Sequence, residues 1–234
     1  MSRLAMCLTN DVRLQLRQGF YVAYAVVTAI YVAILWMIPE EARGLFLPFL
    51  IFSDPAVAGF FFIGALLVLE RDDRTLQTLF VTPLSPREYL LSKILSLTIM
   101  GTVTSLVISL AVRGLDFRVW LLIPGVALTS ILFVSMGIAI STRFRVLNRY
   151  LVIAGLGIGF ICVPVLSLFG FVDSPLFYLW PTQASLILIQ GAYSDQLPPS
   201  WALGYAFGSL FLWIGAAWWW ATRWFDRHVV QSVG

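Results

Sequence analysis

The chain is poor in the residues from which most enzyme sites are built. Its 234 residues include one histidine, His228, one lysine, Lys93, and two cysteines, and only 12% of them are charged. A single histidine leaves a histidine metal site without partner ligands. No arrangement of nucleophile and base is visible, and the lysine lies between Ser92 and Ile94, whereas an ATP-binding P-loop needs Gly-Lys-Ser/Thr. The sequence therefore predicts a protein that is not an enzyme and holds no cofactor of its own.

Apolar residues take the place of the missing charges. They make up 60% of the chain, and the mean hydropathy is +0.90, whereas soluble proteins contain about 45–50% apolar residues. Several apolar runs reach the ~20 residues with which a helix crosses the hydrocarbon core. Because these runs are continuous and lipid offers backbone groups no partner, we predict an all-α, polytopic membrane protein.

Six of these runs are predicted to cross the membrane, all within one transmembrane domain over residues 1–234. Residues 1–19 mix leucines with arginines and predict an amphipathic helix that lies along the membrane interface. Between the fifth and sixth spans, Thr182 to Ala192 is apolar but too short to cross, which predicts a re-entrant or interfacial segment. The predicted spans are about 20–38, 46–69, 85–112, 119–140, 150–171 and 201–224.

Glycines four residues apart occur in the last two spans. Gly155 and Gly159 lie in the fifth span, and Gly204 and Gly208 lie in the sixth. Small residues at this spacing allow two membrane helices to approach closely. We therefore expect both spans to pack tightly against neighbours at these positions.

The basic residues predict the orientation of the chain. Twelve of the fifteen fall in segments on one side of the predicted spans, and only Arg43, Arg113 and Arg118 fall on the other. Because short cytoplasmic loops are enriched in Lys and Arg, both termini are predicted to be cytoplasmic. The net charge of +3 is thus a signal of topology, and we expect membrane lipid rather than nucleic acid as a partner.

Asp54 is the one ionisable residue predicted deep inside a span. Such a group is costly in lipid and by default functional, which makes Asp54 a candidate for the substrate path. However, Asp54 precedes Pro55, and this pair is also typical of a helix N-cap and first turn, so the helix could simply restart there. Both interpretations remain open from the sequence.

The polar stretch from Glu70 to Lys93 separates the second and third spans and carries eight charges. Its middle is a short amphipathic segment, followed by Pro83. Ser85 and Glu88 then form a capping-box pattern with a proline at the first helical position, which predicts that the third span begins at Ser85. The amphipathic residues are Thr75, Leu76, Leu79 and Phe80.

This stretch resembles a signature of type-2 ATP-binding-cassette (ABC) transporter permeases, which are six-span membrane subunits. The family pattern has Glu-Arg-x-x-Gly-Thr-Leu-x-x-Leu, then Thr-Pro-Leu-Ser, then Gly-Lys. Arg74 stands where glycine is usual, and Ser92 stands where glycine usually precedes the lysine. The layout is most similar to small antibiotic-export permeases, including the fluoroquinolone group. The matching residues are Thr75, Leu76, Leu79, Thr82, Pro83, Leu84, Ser85 and Lys93.

The resemblance implies a function and a set of partners. The chain would move a hydrophobic or amphipathic compound across the inner membrane of a prokaryote, together with a second permease copy or a homologous permease. ATP and Mg would be bound by a separate ATPase subunit. A cytoplasmic coupling helix would dock on that ATPase, with contacts from Thr75, Leu76, Leu79, Phe80, Thr82 and Pro83. The movement would then pass to the third span through Glu70, Ser85, Glu88 and Lys93.

Two other functions fit the same six-span plan. One is a haem-exporter-type permease of cytochrome maturation, and the other is a non-transporting membrane scaffold that uses the polar stretch as a docking site. The polar stretch could also be an ordinary solvated loop. An adjacent reading frame with Walker motifs would favour the transporter.

Overall fold

The protein is all-helical in the parts of the chain that the computed structural model describes, which are residues 3–17, 19–72, 85–144, 146–225 and 227. The α-helices are α1 (Arg3–Arg17), α2 (Phe20–Met37), α3 (Glu40–Val57), α4 (Ile63–Asp72), α5 (Pro86–Arg113), α6 (Val119–Ser141), α7 (Leu147–Ile161), α8 (Val165–Leu168), α9 (Pro181–Tyr193) and α10 (Ser200–Phe225). A π-helical segment, Ala58–Phe62, joins α3 to α4, and a 3-10 turn, Pro175–Leu179, precedes α9.

Helix α6 is the centre of the bundle. It contacts α3, α4, α5, α9, α10 and the π-helical segment, and its apolar sequence is buried on most sides. The short connections α2–α3 and α5–α6 lie at one end, here named the Arg118 end. The opposite end, which holds the start of α5, is named the Ser85 end.

Four of the described segments are long and apolar enough to cross a membrane: Glu40–Val68, Pro86–Arg113, Val119–Ser141 and Ser200–Phe225. A fifth arises if α1 and α2, which meet at 69°, count as one bent span. Gly19 occupies this bend with a φ of 77°, a backbone conformation that glycine adopts without strain. The chain is therefore a polytopic membrane protein, and the count of six spans stays a prediction.

The second predicted span begins earlier than the sequence indicated. The predicted span 46–69 leaves out Glu40 and Glu41, which form the first turn of α3, where acidic side chains interact favourably with the positive end of the helix dipole. A restart at Asp54, one of the two interpretations open from the sequence, is wrong, because α3 runs unbroken past Asp54 and Pro55 to Val57. The irregularity comes instead four residues later, as the π-helical segment.

The fifth predicted span, 150–171, is broken in the structure. Helix α7 ends at Ile161, and its 15 residues span roughly 22 Å, less than the ~30 Å hydrocarbon core. Pro164 cannot continue the helical hydrogen bonding. The carbonyls near this end accept instead from the start of α9: Trp180 Nε1 donates to Phe160 at 3.2 Å, and Thr182 Oγ1 donates to Ile161 at 2.6 Å.

Helix α9 corresponds to the predicted segment from Thr182 to Ala192. It has 13 residues, most of them buried, and it packs against α6 and α10. Its carboxyl end lies at the Arg118 end, where the Arg118 guanidinium donates to the carbonyls of Gly191 at 3.0 Å and Asp195 at 2.9 Å. The helix is thus short and fixed at both ends, and its re-entry into a membrane stays a prediction.

Candidate functional site

The polar stretch of the sequence is described in the structure at its two ends. Glu70 lies in the last turns of α4. Residues 73–84 lie outside the described residues, and so do all six predicted coupling contacts: Thr75, Leu76, Leu79, Phe80, Thr82 and Pro83. From Ser85 onward the chain is described again, and the remaining predicted residues lie at the start of α5.

The capping box predicted at the start of α5 is present. Ser85 Oγ accepts from the backbone N–H of Glu88 at 3.3 Å, and Glu88 Oε2 accepts from the backbone N–H of Ser85 at 2.9 Å. Pro86 takes the first helical position, where its missing N–H costs nothing. Local sequence chemistry therefore fixes where α5 begins.

A buried polar contact joins α1 to α5 two turns after this cap. Lys93 Nζ lies 3.1 Å from Asp11 Oδ1, and both residues are 3% exposed. Ser92 Oγ donates to the second oxygen of Asp11, and Gln15 Nε2 donates to Ser96 Oγ at 2.9 Å. The single lysine of the chain thus binds the amphipathic N-terminal helix to the third predicted span.

Sequence reasoning found Lys93 but missed Asp11 as its partner. A signal was present: Asp11 and Gln15 are four residues apart, and so are Ser92 and Ser96. Residues at this spacing lie on one helix face, so the two polar pairs can meet when the helices align. The sequence does not say which two helices align, because 81 positions separate each contacting pair.

Asp54 lies in the middle of the bundle and is 4% exposed. Its Oδ2 has no hydrogen-bond partner among the described residues. Gly101 of α5 and Ser130 of α6 are close, because a Cβ built on Gly101 would lie 3.9 Å from Asp54 Oδ2 and 3.3 Å from Ser130 Oγ. The Asp54 carboxyl group therefore faces a small space beside Gly101 at the junction of α3, α5 and α6.

Further unpaired hydroxyls lie on α5 and α6. Within the described chain, Ser130 Oγ, Thr98 Oγ1 and Ser105 Oγ are buried without a hydrogen-bond partner. Thr98 and Ser105 stand three residues before and four after Gly101, hence on the same face of α5. Buried polar groups are normally paired, so these hydroxyls are open donors and acceptors inside the bundle, on the same side of α5 as Asp54.

An apolar groove of about 660 Å³ runs between α2 and α5. Its α5 wall includes Met100, which directly precedes Gly101, and Thr104, which follows Gly101 by three residues. Tyr24 and Met100 are buried against each other, and Tyr24 lies close enough to Asp54 for the two groups to interact electrostatically. The groove is lined by Tyr21, Tyr24, Ala25, Thr28, Ala29, Val32, Ala33, Trp36, Ile99, Met100, Val103, Thr104 and Val107.

The π-helical segment is held by α7 and α6. Tyr150 Oη donates to the carbonyl of Phe60, and the Tyr150 ring occupies the space beside Gly64, where an added Cβ would lie 1.9 Å from Cζ. On the α6 side, a Cβ on Gly137 would lie 2.6 Å from Ile63 Cγ2. Two glycines thus allow the irregular part of the second predicted span to pack closely.

Comparison with known proteins agrees with this architecture. A family model, that of the fluoroquinolones export permease protein family, matches residues 2–233. The chain belongs to this family. Two fluoroquinolones export permease proteins of Mycobacterium tuberculosis, from strains CDC 1551 / Oshkosh and ATCC 25618 / H37Rv, are each 29% identical to it over 235 residues, covering 100% of this chain and 99% of the relative.

Family membership confirms the resemblance to antibiotic-export permeases that the sequence indicated. In this permease the glycine pairs predicted to pack closely do not do so within the chain: a Cβ on Gly155, Gly159, Gly204 or Gly208 would meet nothing within 4 Å among the described residues. The described glycines at which an added Cβ would lie 3.0 Å or less from another residue are Gly59, Gly64, Gly137 and Gly191.

Proposed function

We propose that this permease is the membrane subunit of an ABC exporter. It moves a hydrophobic or amphipathic, drug-like compound across the cytoplasmic membrane of a prokaryote, with both termini in the cytoplasm. ATP hydrolysis with Mg in a separate ATPase subunit drives the movement, and a second copy of the chain or a homologous permease completes the transporter. The observation that carries the proposal is the family match over 2–233.

Helix α5 offers a route by which an external motor can act. It is a continuous helix of 28 residues, roughly 42 Å long, that begins at the capping box within the polar stretch. The Asp11–Lys93 ion pair fastens α1 to it. Further along, α5 forms one wall of the groove and faces Asp54 at Gly101. A force applied at the Ser85 end would therefore move α1, the groove wall and the Asp54 space together.

The groove suits the proposed class of substrate. Its lining residues are almost all apolar or aromatic, with Thr28 and Thr104 among the few polar side chains. Sites for small molecules are mostly apolar concavities of about 300–1,000 Å³, and the groove falls within that range. The names of the two relatives, fluoroquinolones export permease protein, support fluoroquinolones as the first compounds to test.

The proposal is tested by purifying the tagged chain from its native membranes and identifying what is retained with it. We expect a protein with Walker motifs to co-purify, and Leu76→Asp combined with Leu79→Asp to abolish this association. The matched control is Leu115→Asp, an apolar residue that is 87% exposed in the turn at the Arg118 end. Undiminished association of the double variant would contradict the coupling role.

Transport is measured with the purified complex in proteoliposomes. We expect ATP-dependent accumulation of a fluorescent fluoroquinolone in vesicles that contain both subunits, and none with the permease alone. Accumulation by the permease alone, or its absence with both subunits present, would contradict an ATP-driven exporter of this compound class.

A further inference from the structure

The Asp54 carboxyl group is the least satisfied charged group in the described part of the chain. A carboxyl group removed from water requires a hydrogen-bond partner or a counter-charge, and Asp54 Oδ2 has neither a hydrogen bond nor an ion pair among the described residues. An ionisable residue within a predicted span is costly and marks a functional site by default. The helix-cap alternative no longer competes, because Asp54 lies inside α3.

The chemistry around Asp54 is that of a cation site. Ser130 Oγ borders the same space, and the hydroxyls of Thr98 and Ser105 lie one helical turn to either side of Gly101. Carboxylate and hydroxyl oxygens accept hydrogen bonds, and an ammonium group donates several. A Cβ built on Gly101 would lie 3.9 Å from Asp54 Oδ2 and 3.3 Å from Ser130 Oγ, so both oxygens face the bare backbone of Gly101. An ammonium nitrogen in van der Waals contact with that backbone can reach both oxygens after small side-chain movements.

The space beside Gly101 adjoins an apolar groove. Tyr24 and Met100 line the groove, and Tyr24 also interacts electrostatically with Asp54. The Tyr24 ring contacts Phe62 of the π-helical segment as well, with the centroids 6.0 Å apart. A ligand with a cationic group at Asp54 and an apolar body in the groove would be amphipathic. A rotation of Tyr24 would connect them.

We propose that Asp54, with Ser130 beside it, binds the ammonium group of a cationic amphipathic substrate whose apolar part occupies the groove between α2 and α5. This inference rests on the proposed export function, since it names the chemical class of the exported compound. It assigns Asp54 to charge recognition, while the groove supplies apolar contact that is indifferent to charge.

Two probes that differ only in one charge provide the test. The first is a fluoroquinolone whose free piperazine amine is protonated at neutral pH, and the second is the same compound acetylated at that nitrogen, where the positive charge is lost and the quinolone carboxylate is unchanged. Binding is measured by titration of each probe into the purified permease in nanodiscs. We expect the amine to bind about tenfold to a hundredfold more tightly than its acetylated form, as for a hydrogen-bonded charge in a buried site.

Asp54→Asn removes the charge with little change in shape. We expect it to bring the two probes to equal affinity, with the acetylated probe unaffected. The control is Asp116→Asn, an exposed acidic residue in the α5–α6 turn, which should preserve the preference for the amine. Equal binding of both probes to the unmodified permease, or an equal loss of both in Asp54→Asn, would overturn the inference.

Gly101→Ala tests the position of the site without altering any charge. Its methyl group would fill the space between Asp54 and Ser130, so we expect weaker binding of the amine and unchanged binding of the acetylated probe. Gly204→Ala is the control, because a Cβ there meets nothing within 4 Å. Unchanged amine binding in a folded Gly101→Ala protein would place the ammonium group elsewhere and overturn the assignment.

Binding and transport separate this inference from the proposed function. Amine-selective binding without ATP-driven uptake would leave the Asp54 site standing and contradict the exporter. ATP-driven uptake of both probes at equal rates would support the exporter and contradict charge recognition at Asp54.

Discussion

Asp11 and Asp54 are both buried, at 3% and 4% exposure, in very different surroundings. Asp11 meets Lys93 Nζ at 3.1 Å and accepts from Ser92. Asp54 Oδ2 has no hydrogen-bond partner within the described residues. A buried carboxylate with its own counter-charge holds two helices together, whereas one without is free to receive a cation from outside. The same residue type therefore has a structural role at the Ser85 end and a candidate binding role in the middle of the bundle.

The largest expected effect comes from breaking the Asp11 pair. Lys93→Met leaves Asp11 buried without a counter-charge and should lower the free energy of unfolding by about 3–5 kcal/mol. The loss of stability is detected as a lower midpoint temperature for the heat-induced loss of monodisperse protein in detergent. Arg87→Gln, at an exposed basic residue of the same helix, should change little. The double variant Asp11→Leu, Lys93→Met should recover most of the loss, and its failure to do so would argue against pairing as the cause.

Close packing of the π-helical segment is tested next. Gly64→Ala places a methyl group 1.9 Å from Tyr150 Cζ and should cost about 1–3 kcal/mol of stability, as overpacking of a core does. The same thermal measurement applies. Gly155→Ala, where a Cβ meets nothing within 4 Å, should be neutral or slightly stabilising, because alanine favours helices over glycine. Equal stability of the two variants would contradict the observed packing.

The capping box should give a smaller and local effect. Ser85→Ala removes the acceptor for the Glu88 backbone N–H and should cost about 0.5–2 kcal/mol. Hydrogen exchange should accelerate at the first-turn amides of α5, while the amides near Gly101 keep their protection. Uniform acceleration along α5 would instead show that the cap supports the whole bundle.

The smallest stability effect is expected at Asp54. Asp54→Asn keeps the shape and removes a charge with no observed counter-charge, so the thermal midpoint should stay unchanged or rise. Comparing the thermal midpoints of Asp54→Asn and Lys93→Met therefore tests whether Asp54 and Asp11 differ in role. A loss comparable to that of Lys93→Met would show that Asp54 is also held by a partner and serves the fold.

Local features were predictable from the sequence because their causes act within a few residues. The capping box at Ser85 needs only Pro86 and Glu88, and it is present. The all-helical fold class follows from the continuous apolar runs, because lipid offers backbone groups no hydrogen-bond partner. The short helix before the last span was also indicated by its length alone, and α9 covers Pro181–Tyr193.

The errors share a different cause. The end of α7 at Ile161 involves partners distant in sequence, such as Trp180 for the carbonyl of Phe160. The start of α3 at Glu40 lies outside the apolar run from which the span was predicted. The glycine spacing at Gly155 and Gly159 allowed close packing but could not supply a neighbour. The coupling contacts between Thr75 and Pro83 lie outside the described residues and stay predictions.

The sequence by itself determined that this permease is a helical membrane protein, where α5 begins, and that its single lysine and its intramembrane aspartate are unusual. Only the tertiary structure decided which groups surround those two residues. It placed Asp11 against Lys93 and left the Asp54 carboxyl group beside the bare backbone of Gly101. The reason is physical. Hydropathy and capping are set by neighbours along the chain, whereas the rotation of one helix against another determines whether a charged side chain meets a counter-charge.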